Sequence, residues 1–334
     1  MKRLLLLLIS ALLIALPAWA ASQSGDFTWS FDLSGQQPGQ DTRLWIPYPV
    51  SDRDQLISRI KWEGNYAEAA VYTERSFGAP MLYVRWPKEA EQRRLTLSFH
   101  AERQEQIRRD FPQNEAAYDP RDFSRYLAPT TLGPVTGKVK KLADEITAGK
   151  TGIRAKARAI YDWTVENTFR DPQTRGCGLG DVTALLRRPG GKCADISSIY
   201  VALARAAGVP TREILGIRTG QKASQDVSTW QHCWAEFYLP GYGWVPVDPA
   251  DVRKAMLKQN LELGAPEVAE LRDYYWGRVD PYRIRLSEGR DLQLNPPQQG
   301  PAINYLMYPF AQVGGETLDW LDPATFSYSI VWNP

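Results

Sequence analysis

Residues able to carry thiol chemistry occur in suggestive local settings between positions 176 and 253. Gly190-Gly191-Lys192-Cys193-Ala194-Asp195 leads into Ile196, Ile199, Tyr200 and Leu203 at helical spacing, and Gly208 and Pro210 mark a stop just past Ala207. Cys193 is therefore expected in the first turn of a helix. There, unpaired backbone N–H groups and the positive end of the dipole favour a thiolate and lower its pKa. Lys192 adds positive charge nearby, and the two glycines are expected to let a substrate backbone approach. Downstream, Gln231 to Leu239 has the character of a strand, Pro240-Gly241-Tyr242-Gly243 of a turn, and residues 244–248 of the returning strand. In such a strand His232, Trp234, Glu236 and Tyr238 point one way and Cys233, Ala235 and Phe237 the other, so His232 and Cys233 are not expected to share a site. With the turn centred near Gly241, Asp248 falls opposite residues 232–234, within one or two residues of register.

A free cysteine taken alone packs equally well as a small inert hydrophobe. Nucleophilic thiol chemistry asks for more: a thiolate, an imidazole that shuttles the proton, and a third group that orients the imidazole. Cys193, His232 and Asp248 supply one of each, so the three form the candidate catalytic set.

The elements that must position this set follow from patterning. From Asp26 to about Arg109 short alternating runs such as Phe27-Thr28-Trp29-Ser30-Phe31, Arg43-Leu44-Trp45-Ile46 and Leu95-Thr96-Leu97-Ser98-Phe99 predict strands, giving a β-sandwich-like domain over residues 21–109. Residues 110–134, rich in proline, tyrosine and aspartate, predict a linker or a loop wrapped on the next domain. Val135, Val139, Leu142 and Ile146, then Ile153, Ala157, Ile160 and Tyr161, predict two helices that open a core domain over 135–253. Beyond Asp251 the pattern weakens to a helix-like stretch near 267–276 and short apolar runs, expected as a C-terminal extension (254–334) packed on the core. The fold class is α+β: a cysteine-bearing helix on an antiparallel sheet, preceded by a β-rich domain.

Residues 1–20 carry Lys2 and Arg3, an apolar run from Leu4 to Leu16, and Ala18 and Ala20 around a cleavage point before Ala21. This predicts a secretory signal peptide and a periplasmic or secreted protein, with no membrane span after cleavage. Of the chain's 334 residues, 40 are Lys or Arg and 38 are Asp or Glu; loss of Lys2 and Arg3 leaves the mature chain neutral, with no electrostatic case for nucleic acid or anionic lipid. The two histidines, His100 and His232, are too few for a histidine-built metal site, and His100, outside any motif, is expected to be structural or at the surface. Export and parity favour a Cys177–Cys233 disulfide that leaves Cys193 free. A zinc site from Cys177, Cys193, His232 and Cys233 is the alternative, disfavoured because it lacks a paired Cys-x-x-Cys unit.

Taken together, Gly191-Lys192-Cys193-Ala194-Asp195, Ala204-Arg205-Ala206-Ala207-Gly208-Val209-Pro210-Thr211-Arg212, Gln231-His232-Cys233-Trp234-Ala235-Glu236 and Gly243-Trp244-Val245-Pro246-Val247-Asp248-Pro249 resemble the cysteine, histidine and aspartate blocks of the transglutaminase-like superfamily, a branch of the papain-like thiol enzymes. The resemblance covers roughly residues 135–253 and implies Cys193 as nucleophile, His232 as general base then acid, and Asp248 as the orienting group. It also implies a peptide or carboxamide substrate; the signal peptide alone points to peptides or proteins of the cell envelope, and no cofactor is expected. Papain-type enzymes place an oxyanion-donating glutamine before the cysteine, where this chain has Leu186, Arg187, Arg188 and Pro189; Trp163, Trp230, Trp234 and Gln231 are the remaining side-chain candidates. No acidic cluster resembles a calcium loop, so calcium activation is not carried across. The rival expectation is a non-catalytic envelope binding or assembly protein that keeps the fold.

Overall fold

A computed structural model describes residues 21–334; the signal peptide assigned to residues 1–20 lies outside the described residues. The strands Ser22–Asp32, Thr42–Pro47, Gln55–Gly64, Glu68–Thr73, Pro80–Trp86 and Arg94–Gln104 fill the N-terminal part, as alternation predicts for all but Gln55–Gly64. Along Ser22–Asp32 the buried positions Phe27, Trp29 and Phe31 alternate with more exposed ones, the pattern of a strand with one face on a core. They meet Leu97 and Phe99 of the neighbouring strand and Leu44, Ile46, Leu82 and Val84 of a second sheet in one apolar cluster. Two five-stranded antiparallel sheets thus share a core in the manner of a sandwich.

The C-terminal segment does more than pack on the core. Tyr328–Asn333 pairs with Ser22–Asp32, Phe310–Val313 pairs with Thr42–Pro47, and each extends one sheet of the sandwich. Arg283–Glu288 instead joins the other half of the molecule by pairing with Thr211–Arg218. The expected boundary after residue 253 therefore marks no break, because strand pairing with partners hundreds of residues away leaves no periodic signature that a local window can register.

The second half is built on a four-stranded antiparallel sheet in the order Gly243–Val247, Gln231–Leu239, Thr211–Arg218, Arg283–Glu288. Against it lies the helix Cys193–Ala206, every residue of which is buried. A helix apolar on nearly all sides needs cover all round, and the helices Gly137–Ile146 and Ile153–Asn167 supply it through Val139, Ala143, Ala157 and Ile160. Residues 110–134 wrap on this half: Glu115 accepts hydrogen bonds from the Ile153 and Arg154 amides at 2.6 and 2.8 Å, capping a helix that begins on Gly152 and has no side-chain cap of its own. A further helix, Pro249–Gln259, was not anticipated; Asp248 caps it and Pro249 occupies its first turn.

If the last strand is integral to the sandwich, Trp332→Ala should lower stability by about 3–5 kcal/mol in urea unfolding, because the fully buried indole packs edge-on to Phe27 at 4.8 Å. An unchanged unfolding midpoint would show that the strand is dispensable.

Candidate active site

Cys193 opens its helix as expected, and the turn that presents it is held by Asp195. The Asp195 carboxylate accepts from the Lys192 amide at 3.1 Å and from the Gly180 amide at 2.9 Å, fixing the loop before the helix to its first turn. This explains two glycines in a way the sequence did not suggest. A Cβ on Gly191 would strike the Asp195 side chain at 2.3 Å, and one on Gly190 would strike the Phe169 ring at 2.1 Å. The pair is required by internal packing rather than left clear for a substrate.

The hairpin register places Ala235 opposite Val247, so Asp248 follows at the level of Trp234. His232 Nε2 lies 2.8 Å from Asp248 Oδ2, which leaves Nδ1 for the thiol. Cys193 is within hydrogen-bonding reach of Cys177, Cys233 and His232, and the first two thiols, followed by the imidazole, hold its pKa well below the ordinary thiol value. The reciprocal effect pushes Cys177 up, through its bond to Cys193 and burial, and burial pushes Cys233 up. The geometry thus joins all three expected residues.

Two expectations about the sulfurs need correction. Cys177 and Cys233 are free thiols: Cys177 turns to the Gln231 carbonyl at 3.1 Å, and each reaches Cys193 instead of the other. Opposite strand faces also fail to separate His232 from Cys233, since Cys193 sits where it meets both. Alternation governs side chains along the strand, not a group that the helix end brings to it.

Behind the histidine lies a buried charge cluster invisible to motif reading. Asp248 Oδ2 also accepts from Arg283 Nη1 at 2.6 Å, while Asp248 Oδ1 caps the following helix at the Asp251 amide, 2.9 Å away. Asp251 accepts from Arg283 Nη2 at 2.9 Å and pairs with Arg218, and Arg283 also binds Asp280. Burial opposes ionisation of Asp251, yet Arg218, His232 and Arg283 hold its pKa well below the carboxylate range. Three carboxylates, Asp248, Asp251 and Asp280, thus face two guanidiniums beside His232. The acidic oxygens around His232 cluster closely enough to suggest a cation, but guanidinium donors already fill that role. Arg283 and Asp251 act through the histidine and so position it. Arg283 stands on the strand Arg283–Glu288, which the sequence pattern does not single out and which no local rule connects to residue 248.

The thiol opens onto a cleft of about 840 Å³ whose walls include Gln231, Trp230 and His232. Of the candidate oxyanion donors, Trp230 and Gln231 line this cleft; the Gln231 side-chain amide donates to Ser228 O at 3.1 Å. Trp163 packs against the helical core, and Trp234 stacks on His232 with ring centroids 6.3 Å apart. His100 bonds Asp26 at 2.7 Å on the sandwich, far from this chemistry in the fold. Tyr305 and Tyr308, from the C-terminal segment, share a buried cluster with all three cysteines, and Tyr305 donates to Gly178 O at 2.7 Å.

Two outcomes follow. Arg283→Met should lower stability by about 3–5 kcal/mol, since it leaves buried carboxylates unpaired; an unchanged urea midpoint would refute the charge balance. Because the Cys193 pKa is depressed, its thiolate persists as pH falls. Its alkylation by iodoacetamide, followed by peptide mass spectrometry, should therefore hold its rate from about pH 8.5 toward neutrality, where an ordinary thiol slows. A rate that falls in step with a free-cysteine peptide would contradict the depressed pKa.

Comparison with known proteins places this architecture. The family model of the transglutaminase-like superfamily matches residues 140–249. An uncharacterized protein of Haemophilus influenzae is 35% identical over 333 residues, covering 92% of this chain and 90% of that protein. A Pseudomonas aeruginosa protein-glutamine gamma-glutamyltransferase is 28% identical over 188 residues, which span 51% of this chain and 28% of that relative. Among solved structures, a candidate cysteine protease from Cytophaga hutchinsonii superposes with a TM-score of 0.53 at 15% identity, over 94% of this chain and 99% of that one, a likeness of fold. The chain belongs to the transglutaminase-like superfamily.

Proposed function

We propose that the protein is an exported cysteine-dependent acyl-transfer enzyme acting on peptide or carboxamide bonds, with Cys193, His232 and Asp248 as its catalytic residues. The observation that carries this reading is the placement of Cys193 at a helix N-terminus, in reach of an imidazole whose other nitrogen is 2.8 Å from a buried carboxylate. In this mechanism the Cys193 thiolate attacks the carboxamide carbon. The oxyanion is held by the Cys193 amide, one of the first-turn N–H groups that have no intrahelical acceptor. His232, as imidazolium, passes its Nδ1 proton to the departing ammonia or amine, and a thioester remains. Water or a second amine then loses a proton to His232 and attacks the thioester carbon, which releases the acid or the new amide and restores the thiol. Asp248 keeps the ring oriented and its carboxylate offsets the imidazolium charge, while Arg283 holds that carboxylate in place.

The similarity to a Pseudomonas aeruginosa protein-glutamine gamma-glutamyltransferase supports transfer to an amine, and the core over 135–253 is the proposed catalytic domain. Export rests on residues 1–20; no described helix is long and apolar enough to cross a membrane.

Incorporation of a fluorescent primary amine into a glutamine-containing protein, measured beside ammonia release, tests this reading. Cys193→Ala should abolish both, and His232→Ala should lower them by roughly 10³-fold. Activity that survives Cys193→Ala would overturn the proposal. Absence of activity together with a Cys193 that resists small thiol reagents would favour the rival scaffold reading, to which the 2% exposure of Cys193 gives some ground.

A further inference from the structure

The cleft over Cys193 has a charge that the chain as a whole does not. Arg170, Lys192, Lys222, Lys254 and Lys258 all line it. Among the described residues, none of the five enters an ion pair, although ion pairs are numerous elsewhere on the molecule, including Arg212 with Glu236 and Arg290 with Glu213. Arg218, also in the wall, is committed to Asp251. The one carboxylate lining the cleft, Asp280, is bound to Arg283. With Lys2 and Arg3 excluded, acidic and basic residues are equal in number, so this surplus is local and is not a consequence of a basic protein.

The cations are brought together from separate places. Arg170 ends the short strand Phe169–Arg170, Lys192 caps the cysteine helix, Lys222 lies in the loop after Thr211–Arg218, and Lys254 and Lys258 stand one helical turn apart on Pro249–Gln259. Lys254 is the informative member. It is half-buried and enters no ion pair, and burial, with Arg218, Lys258 and Arg170 nearby, pushes its pKa down to about 8 against the attraction of Asp251, which is itself bound to Arg218 and Arg283. Like charges gathered at this cost, with the nearby carboxylates of Asp251 and Asp280 already committed to arginines, are relieved by an anion entering the cleft. A second observation is independent of charge: the Thr219 hydroxyl, in a residue only 3% exposed, has no protein partner and belongs to the same wall. The size of the cleft and its aromatic walls from Trp230, Tyr274, Tyr275 and Tyr282 suit a chain with side-chain stems rather than a small inorganic ion.

We infer that the acyl donor is an acidic peptide, one that presents several carboxylates around the reacting carboxamide to Arg170, Lys192, Lys222, Lys254 and Lys258. The inference rests on Cys193 being the nucleophile of this cleft, and it names the substrate class that the catalytic residues leave open.

Binding to the full mature chain carrying Cys193→Ala tests it without turnover. A glutamine peptide flanked by glutamates should bind at least about tenfold more tightly than the same peptide flanked by serines, and a lysine-flanked peptide should bind more weakly than either. The gap should close near 1 M salt, where the Debye length is about 3 Å. It should also shrink in a Lys254→Gln, Lys258→Gln, Arg170→Gln variant; where that variant does not fold, Lys222→Glu with Lys258→Glu, both at exposed positions, serves instead. Equal affinities for the three peptides would overturn the inference, as would a gap that survives both the salt and the substitutions. Tighter binding of polyphosphate, or of vesicles containing phosphatidylglycerol, than of the acidic peptide would overturn it in favour of another polyanion. Iodoacetamide labelling of wild-type Cys193, run alongside, separates the two failures. A labelled thiol with no acidic preference sinks the substrate class alone, whereas an unlabelled thiol sinks the nucleophile reading and with it the assignment of the peptide as acyl donor.

Discussion

The buried carboxylate of Asp248 is the constraint on which the rest of the site depends. It ends one hairpin strand, caps the helix Pro249–Gln259 through the Asp251 amide, accepts from His232, and takes the Arg283 guanidinium. A carboxylate with no solvent exposure is tolerable only with such partners, so the same bonds that orient the imidazole are the ones that make the charge affordable. The consequence reaches beyond the hairpin. Arg283 stands on the strand Arg283–Glu288, which pairs with Thr211–Arg218, so the C-terminal segment contributes to the electrostatics of a histidine some fifty residues upstream. Histidine, hairpin and C-terminal strand are parts of one charge balance.

The sulfur side shows a different physical logic. Cys193 gains from the helix N-terminus, but it also lies between two other thiols, and a thiolate that accepts from both is stabilised by them. Export and parity favour a structural disulfide and a solitary nucleophile, because neither takes account of where the three thiols lie in space. In the folded protein the loop bearing Cys177 returns to the histidine strand, where its single S–H has both the Gln231 carbonyl, 3.1 Å away, and the Cys193 sulfur within reach, and Tyr305 and Tyr308 back the group from the far end of the chain. Asp195 underlies this arrangement because it ties the loop at Gly180 to the helix start at Lys192. The thiol is therefore set by a carboxylate of its own, just as the imidazole is set by Asp248.

Much of this was legible in the residues. The helix from Cys193, the hairpin around Gly241 and the approach of Asp248 to His232 all follow from periodicity, turn composition and a two-residue strand repeat, which act over short separations. The strands of the sandwich were legible for the same reason, apart from Gln55–Gly64, where polar residues such as Lys61 and Glu63 blur the alternation. The use of Gly190 and Gly191 was misjudged because it turns on Phe169 and Asp195, which approach them only in three dimensions.

The amino-acid sequence by itself determined the chemistry available: one thiol primed by a helix start, one histidine in a strand, one aspartate across the turn, and equal numbers of acidic and basic residues beyond position 20. Tertiary structure alone decided that Arg283 and Arg218 would meet the aspartates, that Cys177 and Cys233 would both reach Cys193, and that five unpaired cations would face one cleft. Local propensity is settled by neighbours a few residues away. The partner of a buried charge, and the sign of a cavity, are settled by which distant segments pack together, because Coulomb energy and desolvation depend on distance in space and not along the chain.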